Sequence, residues 1–435
     1  MTVRPRLLYL AFFFPPSRAS GVYRSRAVAE RFTRDGWDVT VLSGPVGHFE
    51  ETSGGLDEDL AATVDPAVRI ERPEFTDRRG RWKRLLPRRG GDPLGRYGDF
   101  PEKYADWSRN AYHEGLRLHR EQPFDLVLAT GNPFSAFASA AALAADTGLP
   151  YVLDYRDSWT LDLFTNKPAF PDEHAAYRWE ADFMASAGAV AFVNTALRDW
   201  HAKRYPDTAE RMTVVPNGWD PDVLAATEAE AAPEGTVRYG YLGTVTAQQP
   251  VIRMAEGFRE LQARRPPFTP RLRLHGHLGY FADGAVKLER KLGIGRFRSA
   301  DEPDPDLIRY EGPVSKTAVA NVYARTDVLV FLAGGSRYVT SGKIFEYMAT
   351  GKPIVSVHKR GSAAEEYLER YPLWFKPASL EAGDVADALE RAAEAAQLPD
   401  PALAGAARAY ASQFTRDRAL EALERRCREL LGGGR

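Results

Sequence analysis

The stretch 341–357 constrains this chain more than any other. Just upstream, Val328-Leu329-Val330-Phe331-Leu332 is a continuous apolar run, the pattern of a strand covered on both faces in a parallel sheet. A loop spans 333–342. Ile344, Phe345 and Met348 then give an apolar helical face, Gly351 stands where a helix cap belongs, and Pro353 blocks continuation before the run Ile354-Val355-Ser356-Val357. Strand, loop, helix and strand in that order put the loop and the first helical turn at the carboxyl edge of a sheet, where open α/β folds bind ligands.

The loop has readable chemistry. Gly342 lets backbone approach a ligand, the unpaired N–H groups of a first turn favour an anion, and Lys343 adds a full positive charge at the same place. A diphosphate fits that description. Glu346 lies one turn on, on the side of Lys343, so its oxygens can accept from two neighbouring hydroxyls such as those of a ribose. A solvated Lys/Glu pair on a helix surface satisfies the same pattern, and the local sequence does not choose between them.

The same rhythm recurs along the chain. The run Leu7-Leu8-Tyr9-Leu10-Ala11-Phe12-Phe13-Phe14 is short, aromatic and stopped by Pro15-Pro16, so it reads as a buried first strand and not a signal peptide. A helix is expected from about 22 to 34, with Gly21 at its entry, and a second strand at 38–42. Further strands are expected at 125–130, 151–154, 189–193, 212–215, 237–243 and 272–275, with helices at 135–145, 175–186 and 252–264 between them. The turn-rich Pro216-Asn217-Gly218-Trp219-Asp220-Pro221 reads as a hinge between two similar halves. A chain of 435 residues is too long for one ordinary core, which agrees with that division. Helices are expected from 384 to about 395 and from 402 to 431.

Other features bound the function. A net charge of −1 gives no global attraction for nucleic acid. The single cysteine, Cys427, leaves no intramolecular disulfide and no cysteine-rich metal site, and accords with a reducing cytoplasm. No apolar run approaches the roughly 20 residues of a membrane-spanning helix. Between 44 and 122 the pattern is irregular, and Arg78, Arg79, Arg81, Lys83, Arg84, Arg88 and Arg89 surround Trp82 and Leu85-Leu86. This basic segment, 78–89, suits an anionic acceptor or peripheral contact with an anionic membrane, and equally an ordinary solvated loop. Asp154-Tyr155-Arg156-Asp157-Ser158-Trp159, at the end of a strand, is a second candidate site, or else an internal Arg–Asp pair. His275 and His277 share strand parity and have no acid or cysteine spaced beside them for a metal.

Four pieces carry a resemblance. Phe14-Pro15-Pro16-Ser17 with Gly21-Val22 and Arg24, Asp154 through Trp159, Pro216-Asn217-Gly218 with Asp220, and Gly342-Lys343-Ile344-Phe345-Glu346-Tyr347-Met348-Ala349 occur in one order over nearly the whole chain. Together they resemble the glycosyltransferases of family 4. The resemblance implies an α/β GT-B fold, two Rossmann-like domains whose parallel sheets face across a cleft. It implies an N-terminal acceptor-side domain at 1–218, a donor domain at 219–413, and a last helix, 414–435, that crosses back. The implied activity is transfer of a sugar from a nucleotide-diphosphate sugar to a saccharide, lipid-linked saccharide or natural-product acceptor. Retention at the anomeric carbon and a reaction without bound metal or cofactor are implied with it; closure at the hinge and a cytoplasmic setting are expected beside it, with peripheral membrane contact through 78–89 one option for the basic segment.

By position, Glu346 matches the ribose-binding acid. Gly342, Lys343 and Ser341 face the donor phosphates, Gly21 closes over them, and Gly243, Thr244 and His277 complete the donor side. Val314, in Gly312-Pro313-Val314, resembles the segment that grips the base. Asp157 and Arg156, with Lys343, occupy the places of the reacting centre; Arg24, Asp154 and Trp159 fall on the acceptor side. The pattern also departs from the family. Tyr338 stands eight positions before Glu346 where many members carry an acid, and Thr244, Val245, Thr246, Ala247, Gln248 and Gln249 follow Gly243 where many carry an Arg and a Lys. Lys343, with Arg24, Arg337 or Arg156, then has to offset the leaving diphosphate. Those absences suit a nucleotide-sugar-binding pseudoenzyme or partner-activated subunit, and a further reading is a GT-B enzyme that isomerises or couples a sugar-like group without an ordinary glycoside.

Overall fold

The computed structural model describes residues 4–52, 55–75, 100–163, 165–224, 232–245, 249–278, 284–297, 304, 306–314, 318–334 and 336–432, with backbone alone at 222, 223 and 296. The basic segment at 78–89 and Thr246, Ala247 and Gln248 lie outside the described residues. The chain forms two compact units, one of Met1–Pro216 with Arg416–Arg435 and one of Asn217–Thr415.

The first unit runs β1 (Arg6–Leu10), α1 (Val22–Arg34), β2 (Asp38–Leu42), α2 (Val46–Thr52), α3 (Glu58–Ala62), β3 (Arg69–Glu71), α4 (Ala105–Glu121), β4 (Leu126–Gly131), α5 (Ser135–Thr147), β5 (Tyr151–Tyr155), β6 (Leu161–Asp162), β7 (Lys167–Pro168), α6 (Ala175–Ser186), β8 (Ala189–Phe192), α7 (Thr195–Arg204) and β9 (Met212–Val214). Its main sheet is parallel, in the order β3-β2-β1-β4-β5-β8-β9. The second unit runs β10 (Thr236–Leu242), α8 (Val251–Ala263), β11 (Thr269–His275), α9 (Gly284–Leu292), β12 (Ile308–Gly312), α10 (Val319–Ala324), β13 (Val328–Leu332), α11 (Lys343–Ala349), β14 (Ile354–Val357), α12 (Glu365–Leu368), β15 (Trp374–Phe375), α13 (Ala382–Gln397) and α14 (Pro401–Ala411). Its sheet is also parallel, in the order β12-β11-β10-β13-β14-β15. The last helix, α15 (Arg416–Gly432), belongs to the first unit.

Both orders reverse direction beside their first strand, between β1 and β4 and between β10 and β13. At such a switch the connecting loops leave on opposite faces and open a crevice at the carboxyl ends of the strands. The hydrophobic pattern requires this layering. In β13, Val328, Val330 and Leu332 join one apolar cluster with Met254, Phe258 and Leu389, while Leu329 and Phe331 join another with Ile344, Phe345 and Met348. A strand apolar on both faces must be covered on both faces. In the first unit Tyr9, Val41, Leu128 and Val152 pack against Val28 and Phe32 of α1 and Leu420, Leu423 and Cys427 of α15.

Three expectations need correction. The helix expected over 402–431 is broken into α14 and α15. Trp219 supplies the reason, because its indole Nε1 donates to the Ala411 carbonyl at 2.9 Å and its backbone N–H to Phe414 O at 3.0 Å, so carbonyls at the helix end are satisfied from outside. The irregular stretch 44–122 contains the 17-residue α4, whose buried side includes Ser108 and Gly115 beside Trp107, Ala111 and Leu118, small and polar positions that dilute its periodicity. His275 and His277 share no strand face: β11 ends at His275, and Gly276 turns the chain with φ of +138°.

Candidate functional site

In the second unit the expected donor residues collect at one end of the sheet. Gly243 N donates to His275 O at 3.0 Å, Val245 N to His277 O at 2.9 Å, Gly276 N to Gly312 O at 2.8 Å, and the Tyr310 hydroxyl to Gly276 O at 2.7 Å. The loops after β10, β11 and β12 are thereby stitched into one ledge. Gly276 is required there, since a Cβ would stand 1.8 Å from Gly243 O. Thr244 and His277 are exposed on this ledge, and Val314, half-buried, packs beside it against the Ile344–Phe345 cluster. Burial holds the His275 imidazole below its ordinary pKa.

Across the switch, α11 carries the pair singled out in sequence. Lys343 Nζ donates to Glu346 Oε2 at 2.9 Å, with Lys343 30% exposed and Glu346 8%. The Tyr323 hydroxyl of α10 donates to the same oxygen at 2.7 Å. Ser341 Oγ accepts from Lys343 N at 3.3 Å, fixing the entry to the helix. The Tyr347 hydroxyl accepts from Leu242 N at 2.8 Å and donates to Leu242 O at 3.1 Å, so α11 is tied to the end of β10. Gly342 has ordinary right-handed dihedrals, φ −57° and ψ −24°, and a Cβ there would meet nothing within 4 Å among the described residues. Neither backbone conformation nor packing asks for glycine at 342, which leaves room for a molecule to approach.

In the first unit Gly21 and Arg156 meet. A Cβ on Gly21 would lie 1.9 Å from Arg156 Nη1, so the guanidinium rests on the glycine at the entry to α1. Arg156 also donates from Nε to Gly131 O at 2.8 Å and from Nη2 to Asn132 O at 3.1 Å, which spans the switch between β1 and β4. Asp157, next in the chain, is half-buried and makes no hydrogen bond or ion pair among the described residues. A carboxylate so placed can orient a hydroxyl.

The remaining residues of this group lie inside. Arg24 and Asp154 form a two-pronged pair, Nε to Oδ2 at 2.9 Å and Nη2 to Oδ1 at 2.7 Å, with side-chain exposures of 2% and 0%. Thr130 Oγ1 adds a bond to Asp154 Oδ2 at 3.2 Å, and Arg24 Nη1 donates to Pro216 O at 3.0 Å. Trp159 is stacked between Phe100 and Phe134, at 5.0 and 5.9 Å, and is 7% exposed. Direct acceptor contact, expected of Arg24, Asp154 and Trp159, does not fit these positions, because the carboxylate of Asp154, the guanidinium of Arg24 and the ring faces of Trp159 are already engaged by the protein.

Behind Arg156 and Asp157 lies a second buried network. Glu180 accepts from the Tyr205 hydroxyl at 2.8 Å, from the Tyr155 hydroxyl at 3.4 Å and from Thr160, and lies 3.6 Å from His201 Nε2. Burial alone would raise the Glu180 pKa, but the neighbouring His201 and the hydrogen bonds from Thr160 and Tyr205 hold it below the ordinary range. This network fixes the end of β5 from below. Sequence reading missed it, and missed Tyr323 and Lys352 in the second unit. Lys352 Nζ donates to Tyr323 O at 2.6 Å and to Thr326 O, capping α10. A signal was available for Lys352 alone, as a cation two residues from a buried strand.

Among the described residues no group of three or more His, Cys, Asp or Glu is arranged to hold a metal, and no helix is long and apolar enough to cross a membrane. The profile of the Glycosyl transferase 4-like domain family matches residues 21–218. A sequence search of curated proteins found no match. Solved structures resemble the chain over nearly its full length. A glycosyltransferase from Rickettsia africae aligns at 12% identity and TM-score 0.65, covering 98% of this chain and 99% of the other. Sucrose-phosphate synthase from Thermosynechococcus elongatus aligns at 14% and 0.64, covering 99% and 100%. Anabaena HepE, solved with UDP and glucose, aligns at 16% and 0.60, covering 98% and 99%. The fold is GT-B, with two Rossmann-like sheets.

Proposed function

We propose that this protein, a glycosyltransferase of the family 4-like type, takes a nucleotide-diphosphate sugar on its second unit and an acceptor on its first. The observation that carries the assignment is the Lys343–Glu346 pair at the β10/β13 switch, beside an unfilled space at Gly342. Lys343 and the Gly342 backbone neutralise the diphosphate, and Glu346 accepts from the ribose hydroxyls. Gly243, Thr244 and His277 border the donor, Ser341 orients the phosphate loop, and Val314 lies toward the base. The UDP and UDP-glucose held by Anabaena HepE support a donor of this class.

In the first unit Asp157 orients the acceptor hydroxyl, and Arg156, held at Gly21, adds positive charge at the carboxyl edge of that unit's sheet. For a retaining course, a leaving phosphate oxygen takes the acceptor proton on the face from which the new bond forms. The C–O bond to the nucleotide breaks as the bond to the acceptor oxygen forms, and the nucleoside diphosphate departs with the electron pair. No metal enters this scheme, since side-chain cations offset the charge.

The test is release of nucleoside diphosphate from a panel of nucleotide sugars by the purified chain, with and without 5 to 10 mM EDTA as an order-of-magnitude excess over any trace metal. Turnover that persists in EDTA and collapses in Glu346→Ala supports the assignment. Equal turnover by Glu346→Ala and the parent would remove Glu346 from the donor site. Proton NMR of the product's anomeric proton decides between retention and inversion.

A further inference from the structure

We propose that Tyr323 is a positioning residue that makes the donor site selective for ribose over deoxyribose, by holding one oxygen of Glu346 when Lys343 leaves it. The inference rests on the assignment of Glu346 to the donor ribose made above.

Among the described residues Glu346 Oε2 accepts from two donors of opposite character. Lys343 reaches it at 2.9 Å on a flexible chain that is 30% exposed. Tyr323 reaches it at 2.7 Å from a residue that is 3% exposed. The Tyr323 ring stands edge-on to Tyr347 at 5.7 Å, and Tyr347 is itself tied to both backbone groups of Leu242. The main chain of Tyr323 is fixed as well, through its carbonyl, by Lys352 Nζ at 2.6 Å. One donor can swing away and the other cannot.

That asymmetry matters when a diphosphate arrives. Lys343 has to turn from the carboxylate to the phosphates, and a buried carboxylate that lost its whole partner set would be costly. The Tyr323 hydroxyl stays. Burial, with the Glu346 charge adding to it, pushes the phenol well above its ordinary range, so it remains a donor throughout the working pH. With Oε2 pinned, the carboxylate plane keeps one orientation. A ribose with two adjacent hydroxyls gains from that fixed geometry, and a sugar lacking the 2′-hydroxyl does not.

The experiment is calorimetric binding of paired nucleotides, UDP with 2′-deoxy-UDP, GDP with 2′-deoxy-GDP and ADP with 2′-deoxy-ADP, using the pair the parent binds most tightly. The parent is expected to favour the ribonucleotide about tenfold, the worth of one hydrogen bond to a charged group. Tyr323→Phe should lower that ratio to about twofold or less by weakening the ribonucleotide alone, with the deoxynucleotide unchanged. Lys343→Met should weaken both about equally and keep the ratio, since Tyr323 still holds the carboxylate. A Tyr323→Phe protein that keeps the parent ratio, or weakens both nucleotides alike, overturns the proposal. So does a lost ratio in Lys343→Met, which stands as an independent arm if the tyrosine variant does not fold. Glu346→Ala separates the two levels. If it retains the ribose preference, the ribose assignment itself fails; if it abolishes the preference while Tyr323→Phe retains it, only the role of Tyr323 fails.

Discussion

Arg24 with Asp154 in the first unit and Lys343 with Glu346 in the second are both acid–base pairs near the carboxyl ends of parallel strands, yet one is closed and the other can open. Arg24 and Asp154 are 2% and 0% exposed, joined by two parallel bonds and braced by Thr130 and Pro216. Lys343 and Glu346 share one bond at 30% and 8% exposure. A guanidinium fork matches a carboxylate at two points and loses both if either partner moves. An ammonium makes a single contact and can exchange it for another anion. Residue type, as well as burial, sets which pair bolts the fold and which one can trade partners with a ligand.

The comparison is most exposed to substitution of Asp154. Asp154→Ala leaves a buried guanidinium unpaired, and a loss of roughly 3–5 kcal/mol is expected, a fall in melting temperature of about 6–20 °C. Calorimetry checks it. An unchanged melting temperature with lost turnover would mean that Asp154 serves the ligand and not the fold.

The next largest effect sharpens the contrast with a third cation. Lys352 is half-buried among carbonyls, and burial lowers its pKa from 10.5 to about 8. Between about pH 8 and 10.5 the unfolded chain holds the Lys352 proton while the folded chain releases it, so stability should rise with pH through that window. Below pH 8 both forms hold the proton and the contribution is flat. The rise amounts to on the order of 3 kcal/mol and should vanish in Lys352→Met, read as the difference between parent and variant in urea unfolding at each pH.

Glu346→Ala should act in the opposite domain of effect, with kcat/KM reduced about 100-fold, near 2.7 kcal/mol, and a melting temperature within a few degrees of the parent. Gly21→Ala should be milder still. Its Cβ displaces only the flexible end of Arg156, and about a tenfold loss of turnover is expected, with Arg156→Ala giving no further loss when the two are combined.

In the second-unit candidate site, the Lys343–Glu346 contact was legible because it is local. Lys343 and Glu346 are three residues apart on one helix, and helical geometry alone makes them neighbours. The first unit resisted the same reading. Arg24 and Asp154 are 130 positions apart, and an acid at a strand end has the same one-letter appearance whether it faces a ligand or a guanidinium. Tyr323 was invisible for a related reason, since a tyrosine in a short amphipathic helix reads as core until its hydroxyl is found beside Glu346, 23 residues on. The fold fared better than the site because strand periodicity is repeated many times along the chain, and one blurred element, such as α4, does not change the sheet.

The chain's one cysteine has a use that its burial creates. Cys427 is fully buried in α15, and burial raises its thiol well above the ordinary pKa, so it presents no thiolate to reagents in solution. The native protein is therefore expected to resist thiol labels. Gly342, where an added Cβ meets nothing within 4 Å among the described residues, is a position at which Gly342→Cys would supply one addressable sulfur beside the loop proposed to take the phosphates. Its alkylation rate, followed with and without UDP, would turn occupancy of that loop into a clock.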